Sequence, residues 1–446
     1  MTGLSGLTRR ELMRSLSVAV LAVAAGDLLV GCSSDDEAGP AGPGGRTDLE
    51  LVSSDAERSD GDSAAVPDAV GSIHALGAGL YAEGSGVRGN LALSPYSVAV
   101  ALALTLNGAR GATLDEMLAV LAADGTERLN GGLNALTQSV EALAGKRRRL
   151  DRSTSDVALD SANALFGQRG VDWQDDFLDT LAREYGAGMR TVDFATATES
   201  ARAVINGWTA ERTHDRIEEI IPPDVLDPST RLVLVNALYF KAPWLEPFEK
   251  GATGDRAFHL EDGSVVQVPT MNATLGSTSY GTGDGWQAVR MAYAGNDLAM
   301  TIVLPDEGRL TDVETAVGGG DLPSILASVE ATSVGLSLPR WTFLTATLLN
   351  DALQALGMRT AFTGDADFSG MTTQMDLVVA AVLHQVFIAV DEDGTEAAAA
   401  TAVVVDETSA MLPDQSVVVD RPFLFVIHDV EHGTPLFVGR VVDPRG

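Results

Sequence analysis

Apolar positions along this chain group into runs of two kinds. Ser97 to Asn107 reads Ser-Val-Ala-Val-Ala-Leu-Ala-Leu-Thr-Leu-Asn, apolar on nearly every face, and predicts a buried helix started by Ser94-Pro95. Asp176 to Tyr185 sets Phe177, Leu178, Leu181 and Tyr185 at helical spacing. Leu232 to Phe240 is a continuous apolar run with Asn236 as its one strongly polar member, which predicts a strand covered on both faces. Leu298 to Leu304 reads the same way. Leu348 to Leu356 returns to helical spacing and stops at Gly357. Phe423 to Val442 gives two strands around the turn His432-Gly433-Thr434-Pro435. No internal repeat is visible, and no linker interrupts residues 67–446. The pattern alone predicts one mixed body of helices and large sheets.

The first 66 residues read differently. Arg9, Arg10 and Arg14 precede an apolar run, Leu16 to Ala25, which is too short to span a bilayer as an ordinary helix. Residues 1–31 therefore read as a signal peptide. Thr8-Arg9-Arg10-Glu11-Leu12 resembles a twin-arginine export signal. Leu29-Val30-Gly31-Cys32 resembles a bacterial lipobox, although Asp27 in the late apolar region departs from it. Cys32 would then carry lipid, and residues 32–66, rich in Ser, Asp, Glu, Gly and Pro, would form an unstructured tether. The expectation is an exported chain, lipid-anchored through Cys32 at the cell envelope or extracellular face.

Composition narrows the chemistry. The 446 residues include 30 Lys and Arg against 62 Asp and Glu, a formal net charge of −32. Such a charge argues against a nucleic-acid partner, because phosphates are met by cations. Lys146-Arg147-Arg148-Arg149 is the one basic cluster; it is expected as a solvated loop, with a polyanion site as the alternative. The single cysteine rules out a disulfide within a monomer, the expected oligomeric state. No Gly-x-Ser-x-Gly elbow and no His-Glu-x-x-His pair occurs, so no enzymatic activity, metal or cofactor is expected. His428 and His432 have helical spacing but lie in a strand-turn context, unsuited to a metal pair.

Several segments, in order along the chain, resemble the serpin family. They are Ser94-Pro95-Tyr96-Ser97 with Asn107-Gly108-Ala109-Arg110-Gly111-Ala112-Thr113; Ala162-Asn163-Ala164-Leu165-Phe166; Ile205-Asn206 with Trp208; Asn236-Ala237-Leu238-Tyr239-Phe240-Lys241 with Trp244 and Phe248; Ala366-Asp367-Phe368-Ser369-Gly370-Met371; and the C-terminal Asp420-Arg421-Pro422-Phe423 and Leu436-Phe437-Val438-Gly439-Arg440. The resemblance covers about residues 67–446. It implies an α+β fold of three β-sheets and about eight to nine helices with an exposed reactive loop. It also implies that Ser94, Ser97, Asn236 and His384 match the shutter, a buried polar cluster where the main-sheet strands part. Trp244 matches the tryptophan at the top of that sheet, where insertion begins.

Asp391-Glu392-Asp393-Gly394-Thr395-Glu396-Ala397-Ala398-Ala399-Ala400-Thr401 resembles the hinge of inhibitory serpins. The family implication is a suicide substrate: a serine protease cuts the loop, the hinge inserts as a new strand, and the partner is held as a covalent acyl complex. The residues suit that task. A strand entering a closed sheet alternates its side chains, and Thr395, Ala397, Ala399 and Thr401 form one small set with no charge and no proline. A strand of about ten residues could add some ten backbone hydrogen bonds, each worth roughly 1 kcal/mol net. By composition alone the alanine run would be a helix; the matching segments at both ends favour the strand.

Counting forward from the hinge places the scissile bond at Thr408-Ser409, whereas counting back from Pro422 with a shorter loop gives Met411-Leu412. No Lys or Arg lies between Thr395 and Asp420, which disfavours a trypsin-like target and suits elastase-, subtilisin- or chymotrypsin-like enzymes. Asp406 and Glu407 beside the bond depart from common inhibitors and would either select a protease with a basic rim or slow the reaction and make the loop a substrate. The alternative is a non-inhibitory serpin whose loop is only a substrate or a binding element, which Ala397 to Ala400 argue against.

Overall fold

The computed structural model describes residues 49–396 and 412–446. The signal segment, Cys32, hinge residues Ala397, Ala398, Ala399, Ala400 and Thr401, the Thr408-Ser409 bond and Met411 lie outside the described residues.

The described chain opens with β1 (Glu50–Val52), α1 (Val66–Ser85), β2 (Leu91–Leu93), α2 (Pro95–Leu106), α3 (Gly111–Val120) and α4 (Thr126–Glu141). A hairpin of β3 (Gly145–Arg148) and β4 (Thr154–Gln168) leads to α5 (Asp175–Tyr185), β5 (Met189–Val192) and α6 (Thr198–Arg212). Next come β6 (Leu232–Pro243), β7 (Gly254–His259), β8 (Val265–Gly283), β9 (Trp286–Ala292) and β10 (Leu298–Pro305). After α7 (Leu310–Gly318) and α8 (Leu322–Ala327) the chain forms β11 (Glu330–Pro339), β12 (Trp341–Leu348), α9 (Asn350–Ala355), β13 (Val379–Val390) and β14 (Gly394–Thr395). It ends with β15 (Gln415–Val418), β16 (Phe423–Asp429) and β17 (Pro435–Val441).

The main sheet runs β1-β5-β4-β6-β14-β13-β12, with β3 hydrogen-bonded to β4. A second network runs β15-β11-β8-β9-β10-β16-β17-β2, with β7 on β8. The long β8 meets β7 over Val265–Thr270, β11 over Thr270–Tyr280 and β9 over Thr278–Gly283, so two of the three expected sheets are continuous through it.

Hydrophobic periodicity explains the layers. Every residue of β6 except Lys241 is buried. Its alternate side chains serve two cores: Leu232, Leu234 and Leu238 join the large one, while Val233, Val235 and Ala237 face Ile205 of α6 together with Ile217 and Ile220. All twelve residues of α2 are buried behind the main sheet, and Ser94 caps it by accepting from Ser97 N. The helix expected over Leu348 to Leu356 is shorter, because Leu348 still pairs with Leu383 as the end of β12.

Residues 49–65 are not the unstructured segment that their composition suggested. Leu51 and its neighbours pair antiparallel with β5, Ser59 N donates to Arg183 O at 2.8 Å, and Arg58 Nε donates to Asn134 Oδ1 at 2.9 Å. Gly61, at φ 73, lies so close to α4 that a Cβ would meet Ala135 N at 2.5 Å. Residues 49–65 are thus held by hydrogen bonds rather than apolar burial, which a hydrophobicity argument does not register.

Candidate functional site

Two polar clusters lie on the seam between β6 and β13. At the lower one the strands pair directly in parallel, Val379↔Leu232 through Gln385↔Ala237, with His384 opposite Asn236. Across β4, Asn163 is opposite Asn236. The main chain of Ser94 donates to His384 Nε2 at 3.0 Å, and a backbone N–H can only donate. Nε2 is therefore unprotonated, and the proton sits on Nδ1, which donates to Asn236 Oδ1 at 2.5 Å. Asn236 Nδ2 in turn donates to Ser97 Oγ and to Asn163 Oδ1, both at 2.6 Å. Ser97 Oγ donates to Asn163 Oδ1 at 2.8 Å. His384 is fully buried, and burial pushes its pKa down to about 4 against the opposing pull of its bond to Asn236. The structure thus brings Ser94, Ser97, Asn236 and His384 into one neutral network.

The upper cluster is built around the hinge. Gly394 and Thr395 already lie as β14 between the two strands: Gly394 pairs with Pro243, and Thr395 pairs with Ala242 on one side and Val390 on the other. Gly394 has φ 154, and a Cβ there would meet Ala242 O at 2.2 Å, so only glycine fits. Trp244 N donates to Asp393 O at 2.9 Å, and its indole N–H donates to Asp391 O at 3.0 Å. The indole stacks on Tyr293 with ring centroids 4.6 Å apart, and the Tyr293 hydroxyl shares a 2.6 Å hydrogen bond with Thr395 Oγ1. Thr395 therefore faces the large core, the phase that the sequence assigned to Thr395, Ala397 and Ala399.

Charges fasten the turn before β14. Asp391 Oδ1 accepts from the main chain of Asp393 and Gly394 at 2.9 and 3.2 Å. Burial pushes the Asp391 carboxyl up, while those two bonds pull it down. The Glu392 carboxylate accepts from Thr253 Oγ1 at 2.6 Å and has Arg340 at 3.7 Å, and Asp393 pairs with Lys250 at 2.9 Å. Glu396, the last residue described before the loop, pairs with Arg216 at 2.5 Å. Burial pushes its carboxyl up, and Arg216 opposes this.

Other placements differ from expectation. The basic cluster is a strand rather than a loop: Gly145–Arg148 form β3 with Lys146 and Arg148 exposed, and Arg149 is buried with Nη2 donating to Asp393 O at 3.3 Å. Hairpin pairing with β4 made a strand of what charge alone read as loop. Leu412, on the far side of the loop, is 90% exposed. Sequence reasoning missed Asn163, Tyr293, Arg149 and Arg216. Asn163 had a signal, a lone amide inside an apolar strand run, but its partner depended on register. The others lie 102 to 244 residues from the hinge residues they contact, and nothing local marks those contacts.

Comparison with known proteins gives a consistent answer. The family model described as Serpin (serine protease inhibitor) matches residues 74–444. An uncharacterised serpin-like protein of Thermococcus kodakarensis is 37% identical over 380 residues, 84% of this chain and 86% of that one. The leukocyte elastase inhibitor of Bos taurus is 33% identical over 366 residues, 80% of this chain and 93% of that one. Among solved structures, the thermophilic serpin tengpin in its native state aligns with a TM-score of 0.74 at 28% identity, covering 84% of this chain and 94% of that one. With this match over residues 74–444 and a relative 37% identical over 84% of the chain, the chain belongs to the serpin family.

Proposed function

We propose that this serpin is a single-use inhibitor of serine proteases of the elastase, subtilisin or chymotrypsin type, acting by loop cleavage and strand insertion. The observation that carries the reading is the seat of the hinge. Direct pairing of β6 with β13 stops at Ala237↔Gln385, and above it Gly394 and Thr395 lie between the two strands. Leu238–Lys241 and Val386–Ala389 are not paired with each other, so the edges that a further strand would join are already apart. Small residues follow in the required phase, Ala397 and Ala399 after Thr395. Each inserted residue adds ladder hydrogen bonds worth roughly 1 kcal/mol net, so cleavage releases the loop into a downhill path. The relatives include an elastase inhibitor by name, and the loop offers no basic residue to a trypsin-like pocket.

The test is incubation with elastase-like and subtilisin-like proteases. The expected result is an adduct that survives boiling in detergent, together with a cleaved form that melts well above the intact one. Clean cleavage at Thr408-Ser409 or Met411-Leu412, with no adduct and an unchanged melting temperature, overturns the reading in favour of a loop that is only a substrate.

A further inference from the structure

Among the described residues, the strand seated between β6 and β13 ends at Thr395, and the residue after it has a definite geometry. Thr395 is extended and paired on both sides, but Glu396 sits at φ 50, a left-handed conformation that a non-glycine residue adopts only when something holds it. Its N–H donates to Ala389 O at 2.8 Å, so the residue is still in register with β13 although its own backbone has left the extended conformation. The Glu396 side chain is only 8% exposed, and its carboxylate lies on Arg216 Nε at 2.5 Å. The Arg216 guanidinium also covers the Phe387 ring, 5.5 Å from its centroid. Continuing the observed register, Ala398 would come opposite Phe387, beneath that guanidinium.

Arg216 comes from the segment that leaves α6, where His214 and Asp215 both have positive φ, 51 and 59. That segment is itself tied to the sheet: His214 Nε2 and Asp160 Oδ2 are 2.8 Å apart, and the His214 ring lies 4.4 Å from that of Tyr239. The arginine is thus presented from an anchored turn on the outer face of the sheet, opposite the Tyr293 side that receives Thr395.

We propose that Arg216 and Glu396 form a catch that arrests hinge insertion at its second residue in the uncut chain. Arg216 is a positioning residue: it holds Glu396 in the turned conformation and covers the path of Ala398. One such pair opposes entry of an intact, tethered loop. It yields once cleavage frees the loop, because about ten ladder hydrogen bonds then draw the strand in. The inference rests on the insertion reading above.

The test uses the full chain with Arg216→Ala, Glu396→Ala and the charge swap Arg216→Glu/Glu396→Arg. Without protease, each protein is warmed, and its conversion to a urea-resistant form whose loop is no longer cut is followed over time. The single variants should convert roughly fivefold faster or more, the effect of losing a charge-assisted hydrogen bond, and the swap should return to within about twofold of the unsubstituted chain. Singles that convert at the unsubstituted rate, or a swap no slower than the singles, overturn the catch. So does a loss of heat resistance in the cleaved singles that the swap does not repair, since it marks general damage. The gain in heat resistance of the unsubstituted chain on cleavage tests insertion itself, whereas the ratio between variants tests the catch, so the two ideas fail separately.

Discussion

The lower and upper halves of the β6–β13 seam are closed in opposite ways. Below, the strands pair directly and a chain of neutral donors and acceptors, Ser94–His384–Asn236–Asn163–Ser97, crosses three strands with no ionised group. Above, the strands are parted by two hinge residues, and their surroundings are held by Asp393–Lys250, Glu392–Arg340 and Glu396–Arg216. Buried neutral bonds are costly to lose, because each orphaned group stays out of water. Ion pairs with one exposed partner are worth little and are readily exchanged. The seam is therefore held more firmly in its lower half than in its upper one.

Breaking the lower half should have the largest effect. Asn236→Ala removes the acceptor of His384 Nδ1–H and the donor to Ser97 and Asn163, which should lower unfolding free energy by about 2–5 kcal/mol, read from the midpoint in denaturant. A loss below about 1 kcal/mol would mean that the network does not hold the seam.

Acid should separate the halves by sign. His384 and His428 are buried with pKa values of about 4. Their folded values lie below the unfolded value near 6.5, so the unfolded chain binds more protons between the two, and stability falls as pH drops from about 6.5 towards 4. The loss is on the order of 3 kcal/mol per histidine at the acid end. Asp391 and Glu396 have raised values, so protonation just above the usual carboxylate range favours the folded hinge instead. Denaturant midpoints measured across that pH range should fall for the whole chain, and His384→Gln should flatten the slope. An unchanged slope would remove His384 from the account.

The smallest effect on global stability is expected from Gly394→Ala. Its Cβ cannot coexist with Ala242 O, but two residues can leave the seam without unfolding the rest. The midpoint should shift by less than about 1 kcal/mol while Trp244 fluorescence changes, because the indole is bonded to Asp391 O. A fluorescence spectrum identical to that of the unsubstituted chain would show that the hinge stays seated despite the added methyl.

Much of this was legible in order. The apolar runs gave β6, β10, β16, β17 and the all-buried α2, because a residue's burial is written in its own chemistry and spacing. Composition misled where hydrogen bonds rather than apolar area do the holding, as in residues 49–65 and in the basic strand β3. Ser94, Ser97, Asn236 and His384 were singled out only through the resemblance to the family, whereas the tautomer of His384 and the inclusion of Asn163 follow from register across three strands.

What the sequence by itself determined is the strand chemistry of the hinge: a glycine, a threonine and small alternating residues able to enter a sheet. What only the tertiary structure decided is where Gly394 and Thr395 lie, between β6 and β13, and which groups surround them. Arg216 and Glu396 are 180 residues apart, and Arg149 and Asp393 are 244 apart. No local periodicity encodes a contact across such a span, because it exists only once the sheet has brought both elements to one edge.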